Sequence, residues 1–151
     1  MFFETIIEEK TVDEIMSVIQ HNRNFLEDKS NLTYTVNGFQ SQNIVDLFTD
    51  SLKKSMLSNN CFYKDIFYIH YIEYKNGGYQ KEHNHIITET YSFILYLNNA
   101  VGDTVFSKNN IRINPIKGKL IIFDSELDHY GEESTNKKIL VGAIKSKEKY
   151  G

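Results

Sequence analysis

From Phe62 onward the chain is written in short β-branched and aromatic runs broken by turn residues, and this pattern leaves few architectures open. The runs fall at 66–74, 91–97, 103–107, 111–114, 119–123 and 139–144. Asn76-Gly77-Gly78, Asn98-Asn99 and Asn109-Asn110 between them are residues that tolerate the positive φ of tight turns. No stretch of helical period separates the runs, so they have no crossover with which to become parallel strands. An antiparallel sandwich, jelly roll or small barrel is the reading. Ten Tyr and ten Phe support it, because aromatic side chains fit a pleated, half-buried surface.

The first third has a different period. Thr11-Val12-Asp13-Glu14 has the form of a capping box, in which the threonine oxygen accepts a backbone N–H and Glu14 reaches back. Val12, Ile15, Met16 and Ile19 then mark one face of a helix expected over 11–28. Residues 31–39 are expected to hold a short edge strand ending at Gly38. Ile44, Phe48, Leu52 and Met56 recur every fourth residue, predicting a second helix over 41–58 that the Ser58-Asn59-Asn60 cluster ends. The expectation is one mainly β (α+β) domain over residues 1–151. A helical support region of about 1–60 packs its two helices on one sheet of a β core of about 61–145.

With 40% hydrophobic and 25% charged residues, the chain has the composition of a folded globule and not of a disordered segment. No apolar run approaches the ~20 residues of a membrane helix. Met1-Phe2-Phe3-Glu4 meets acid too early for a secretion signal, so a soluble, cytoplasmic protein is expected. Cys61 is the only cysteine, which excludes an intramolecular disulfide and a cysteine-based zinc cluster. A net charge of −3 gives no electrostatic footprint for nucleic acid. Arg23 and Arg112 are the only arginines, so a site that grips a carboxylate is expected to use lysine.

Of the five histidines, His21 sits among polar helix residues and reads as solvated, and His70 inside an apolar strand reads as a core or wall residue. His83-Asn84-His85 is different. On a strand, side chains at i and i+2 project to the same face. Two imidazoles held together repel when protonated, whereas a divalent metal takes both as neutral ligands.

The residues around this pair extend the pattern. Tyr74 to His85 reads Y-x-x-G-x5-H-x-H, followed by Tyr96-Leu97-Asn98 and by Gly102-Asp103-Thr104-Val105-Phe106. Pro115-Ile116-Lys117-Gly118 leads to Phe123, then come His129-Tyr130-Gly131 and Lys138. Over residues 74–144 the chain thereby resembles the iron(II)- and 2-oxoglutarate-dependent dioxygenases, in particular the prolyl 4-hydroxylase-like group. The resemblance implies a double-stranded β-helix (jelly roll) and a hydroxylase that uses Fe(II) and 2-oxoglutarate, with ascorbate as an optional reductant. It matches His83 and His129 to metal ligands, and Lys138, or alternatively Lys137, to the cation on the far carboxylate of 2-oxoglutarate. Tyr74 matches a tyrosine that helps bind the same co-substrate. If Lys138 points inward, period 2 puts Gly142 on its face, leaving room for a bound molecule. If instead Ile139 points inward, Val141 and Ala143 line the interior.

In that family the second residue of the H-x-D motif is a carboxylate, and here it is His85. Three outcomes stand open: a three-histidine centre on His83, His85 and His129, a carboxylate supplied by Glu82, Glu89 or Asp124, or a metal site without hydroxylation. The competing functions are a cupin-like three-histidine dioxygenase that needs no ketoacid and a non-catalytic metal-binding jelly-roll module. The substrate is expected to be a small molecule or a peptide, possessing for instance a proline.

Overall fold

The computed structural model describes residues 2–29, 32–34, 49–50, 52–54, 57–58, 63–85 and 90–146. The strands are β1 (Phe2–Ile6), β2 (Glu27–Lys29), β3 (Leu32–Tyr34), β4 (Tyr63–Tyr74), β5 (Gly78–His83) and β6 (Thr90–Tyr96). They continue with β7 (Thr104–Phe106), β8 (Ile111–Ile113), β9 (Lys119–Asp124), β10 (His129–Ser134) and β11 (Lys138–Ser146). One helix, α1 (Glu9–His21), lies between β1 and β2, and residues 49–50, 52–54 and 57–58 are also helical.

All pairings are antiparallel. A seven-stranded sheet runs β1-β9-β6-β11-β4-β3-β2, and a four-stranded sheet runs β5-β10-β7-β8. Together they make the jelly roll that the alternating runs predict.

The central strands of the large sheet are buried on both faces, which explains why β6 and β9 are apolar without alternation. Tyr91, Phe93 and Leu95 face outward, where Val12, Ile15 and Ile19 of α1 and Leu52 cover them. Ile94 and Tyr96 face inward with Ile121, Phe123, Tyr74 and Ile139, toward Phe106 and Ile113 of the small sheet. Fully burying one such side chain contributes about 1.5–3 kcal/mol. Both layers are therefore substantial.

Three expectations shift. The helix starts at Glu9, not Thr11, and Glu8 occupies the N-cap position without a side-chain cap. Thr11 thus lies inside the first turn, and the capping box does not form. The helix also stops at His21, because Asn22 leaves the helical region and residues 27–28, expected to be helical, pair in β2. The edge strand appears as β3, with β2 outside it; residues 35–48, which include the first eight of the second predicted helix, lie outside the described residues, as do 51, 55 and 56. Among the described residues no helix is long and apolar enough to cross a membrane.

Candidate functional site

Between the sheets lies a cavity of about 200 Å³, small beside the ~300–1,000 Å³ of sites for larger ligands. It suits a compact molecule. Tyr68, His70, Ile72 and Tyr74 line it as alternate residues of β4, while Ile139 and Val141 line it from β11.

His83, His85 and His129 converge at this cavity. His83 ends β5 and is the cross-strand partner of His129, which begins β10. His85 lies just beyond the strand, held by its N–H to the Ser125 carbonyl at 2.8 Å. The three rings offer ligand atoms that all lie within 4.8 Å of one another. Nitrogens bound ~2.1 Å from one ion at right angles would stand ~3 Å apart, so small ring movements close the set.

Backbone acceptors orient two of the rings. His83 Nδ1 donates to the Lys81 carbonyl at 2.6 Å, and His129 Nδ1 to the Leu127 carbonyl at 3.0 Å. Each keeps its Nε2 lone pair free, the arrangement that fixes the tautomer of a ligating imidazole. Burial holds the His129 imidazole down at about 4, with the neighbouring histidines acting in the same direction. Burial also lowers His85, as do His83 and His70. Neutral imidazoles are metal ligands, and the donor chemistry fits iron, zinc, copper or nickel.

No carboxylate joins the group among the described residues. Glu82 accepts from Ser107 Oγ, and neither it nor Asp124 lines the cavity; Glu89 lies outside the described residues. Asp128, beside His129 in sequence, accepts from Asn84 at 2.6 Å and pairs with Lys108. His70 is a wall residue of the cavity, and His21 is exposed, with Nδ1 donating to the Ser17 carbonyl at 2.7 Å.

The cation beside the cavity is Lys137, not Lys138. Lys138 pairs with Glu73 across β4 and β11, and its charge helps lower that carboxyl. It shares its face with Leu140, which belongs to the layer covered by α1. The interior face is that of Ile139 and Val141; Gly142 borders the cavity as well, but the place of its absent side chain is filled, since a Cβ there would stand 2.1 Å from the Tyr68 carbonyl.

Lys137 is 0% exposed. Its amine donates to the Gly102 carbonyl at 3.0 Å and sits 4.2 Å from the centre of the Tyr74 ring. Among the described residues no carboxylate lies within ion-pair distance of it, and burial pulls its pKa down to about 8. Both arginines are engaged at the surface, Arg23 with Glu73 and Arg112 with Asp103 and Glu132.

Tyr74 itself is buried against the cavity and donates to Gln80 Oε1 at 2.5 Å. Gly131 makes this possible: a Cβ there would stand 2.5 Å from the Tyr74 hydroxyl and 3.5 Å from Lys137 Nζ. One end of the cavity thus carries three metal-type ligands, and a buried amine adjoins its wall two residues along β10.

No family model and no curated protein matches the sequence. Solved structures do match. A viral collagen prolyl hydroxylase from Paramecium bursaria Chlorella virus-1, in complex with 2-oxoglutarate, is 17% identical over 96% of this chain and 94% of its own, with a TM-score of 0.68. A Trichoplax adhaerens prolyl hydroxylase, in complex with a peptide fragment of a hypoxia-inducible-factor degradation domain, is 12% identical. It covers 98% of this chain and 84% of its own, with a TM-score of 0.72. A Burkholderia pseudomallei oxidoreductase of the 2-oxoglutarate–Fe(II) oxygenase family is 14% identical over 89% and 78%, with a TM-score of 0.68. The chain has the prolyl-hydroxylase-like jelly-roll fold of the 2-oxoglutarate and iron(II) oxygenases.

Proposed function

We propose that the protein is an iron(II)- and 2-oxoglutarate-dependent oxygenase that hydroxylates a peptide or small-molecule substrate. The observation that carries this reading is the convergence of three imidazoles at one small cavity, with a buried lysine that has no carboxylate within ion-pair distance among the described residues lying behind the Tyr74 and Gly131 part of its wall. A buried ammonium is unfavourable until an anion meets it. A ketoacid with two carboxylates answers both ends: one carboxylate and the keto oxygen face the histidines, and the other carboxylate faces Lys137.

His83, His85 and His129 would hold the metal, which when bound supplies activation of dioxygen coupled to decarboxylation of the ketoacid to succinate and carbon dioxide. The chain's own part is positioning. Leu127 and Lys81 carbonyls keep Nε2 of His129 and His83 turned to one point. Lys137 and Tyr74 set the depth at which the ketoacid stops, and Ile72, Ile94, Phe123, Ile139 and Val141 keep water from the reacting centre. Tyr68 and His70 form an aromatic part of the wall, with ring centres of Tyr68 and His85 6.5 Å apart. Substrate is expected to meet this aromatic side.

The test is release of succinate and carbon dioxide from 2-oxoglutarate by the protein with Fe(II) and ascorbate, in air and under anaerobic conditions. Oxygen-dependent turnover lost in His129→Ala supports the reading. Oxygen uptake without ketoacid consumption favours a cupin-like dioxygenase, and metal binding without either excludes an oxygenase.

A further inference from the structure

The charge inventory of the cavity is unusual for a place that receives a cation. Among the described residues lining it there is no Asp or Glu. The carboxylates around it are turned to other partners: Asp128 to Lys108 and Asn84, Glu82 to Ser107, and Glu132 to Arg112. Asp128, next to His129 in sequence, is taken up by Lys108 and Asn84, and Lys137, wholly buried behind Tyr74 and Gly131, adds a positive charge beside the cavity wall. A divalent ion on three neutral imidazoles keeps both of its charges, and the lysine behind the wall adds a third. In a poorly solvated space, like charges repel more strongly than in water, and no solvent shell screens them. Had position 85 carried an aspartate, one of the three charges would be cancelled by the chain itself.

We propose that His85 makes metal retention at this site depend on an anion: the ion alone is held weakly, and ion and dicarboxylate enter as a mutually stabilising pair. The proposal rests on the oxygenase reading above and adds how that site is regulated. The ketoacid, with two negative charges between the imidazoles and Lys137, supplies the neutralisation that the histidine does not. Linkage makes the dependence reciprocal, so that the ion tightens ketoacid binding by the factor by which ketoacid tightens the ion. Ketoacid supply then gates metallation, and apo-protein accumulates when the dicarboxylate is scarce. Succinate carries the same two charges without the keto group, so it separates neutralisation from chelation.

The experiment is an anaerobic titration with Co(II), read by its visible absorption and by calorimetry. It is run without anion, with 2-oxoglutarate and with succinate, on the wild-type chain and on His85→Asp. Wild type is expected to gain about 10-fold or more in Co(II) affinity with 2-oxoglutarate and a smaller gain with succinate. His85→Asp is expected to bind Co(II) alone more tightly than wild type, and to lose most of the gain from either anion. His85→Glu, with the same charge on a longer side chain, serves if circular dichroism shows the aspartate variant misfolded. Equal wild-type affinity with and without the anions, or an undiminished gain in the carboxylate variants, overturns the proposal. Oxygen-dependent ketoacid turnover by a wild type without such coupling would refute this inference alone. Tight Co(II) binding with no ketoacid binding at all would refute the oxygenase reading as well.

Discussion

Replacing Lys137 by Met retains an unbranched stem of similar length and removes only the charge, so its consequences can be worked from the surroundings. The amine is fully buried, and desolvation brings its pKa from 10.5 to about 8, against the opposing pull of Asp103 and Glu132. A fall of that size corresponds to about 3 kcal/mol of preference for the neutral form in the folded chain. Between pH 8 and 10.5 the unfolded chain holds the proton while the folded one has released it. The unfolded state therefore binds more protons, and stability rises with pH across this window. Lys137→Met should abolish that rise, as seen in urea midpoints at about pH 8.5 and about pH 10, each roughly half a unit inside the window. Binding moves the other way. Removing one partner of a buried charge pair costs ~2–5 kcal/mol, so 2-oxoglutarate affinity should fall about 30-fold to several-thousand-fold, while affinity for the free metal ion, relieved of a like charge, should not fall. Lys138→Met, on the outer face, should leave the ketoacid affinity unchanged. Calorimetry on the three proteins decides it: equal ketoacid affinity in Lys137→Met and wild type, or a loss confined to Lys138→Met, would refute the assignment.

Gly131→Ala should be disproportionately harmful for one methyl group. Its Cβ must displace the Tyr74 hydroxyl from 2.5 Å, which overpacks the wall at ~1–3 kcal/mol, lowers the thermal midpoint and weakens ketoacid binding. A midpoint and an affinity equal to wild type would contradict the geometry. Glu89→Gln should leave Co(II) affinity within about threefold of wild type, a change below 1 kcal/mol. A loss as large as that in His129→Ala would mean that the chain supplies a carboxylate to the metal after all.

The elements most legible in the sequence were those packed on both sides by hydrocarbon. β6 and β9 announce themselves because Phe93, Leu95, Leu120 and Ile122 on one face and Ile94, Tyr96, Ile121 and Phe123 on the other are all buried. The strands that build the site read least like strands. β5 is Gly-Tyr-Gln-Lys-Glu-His and β10 is His-Tyr-Gly-Glu-Glu-Ser, because what they turn to the cavity is Gln80, His83, His129 and Gly131 and not hydrocarbon. Without an apolar face there is no period to detect, and only the histidines betrayed them. Spacing favours Lys138 but leaves Lys137 open, for a related reason. A shift of one residue along a strand exchanges the two faces, and spacing from His129 alone does not say which of two adjacent lysines turns inward. Burial decides it, with Ile139 and Val141 inside and Leu140 against α1. The helix start was displaced because Ile7, whose N–H bonds to the Gly118 carbonyl at 2.7 Å, carries the chain off β1 and into α1 earlier than the capping signal suggests.

The cross-strand pairing of His83 with His129 has a mechanical consequence. These residues lie far apart in the chain but directly opposite at one end of the β5–β10 ladder, which is interrupted twice by register shifts before it reaches Gly78. An ion shared by the two rings would act as a rivet on that ladder, at one end of its irregular pairing. Because the large sheet has its own two-sided hydrocarbon packing, the rivet stiffens the small sheet selectively. Amide hydrogens of β5 and β10 then report metal content, while those of β6 and β9 exchange at the pace set by the core.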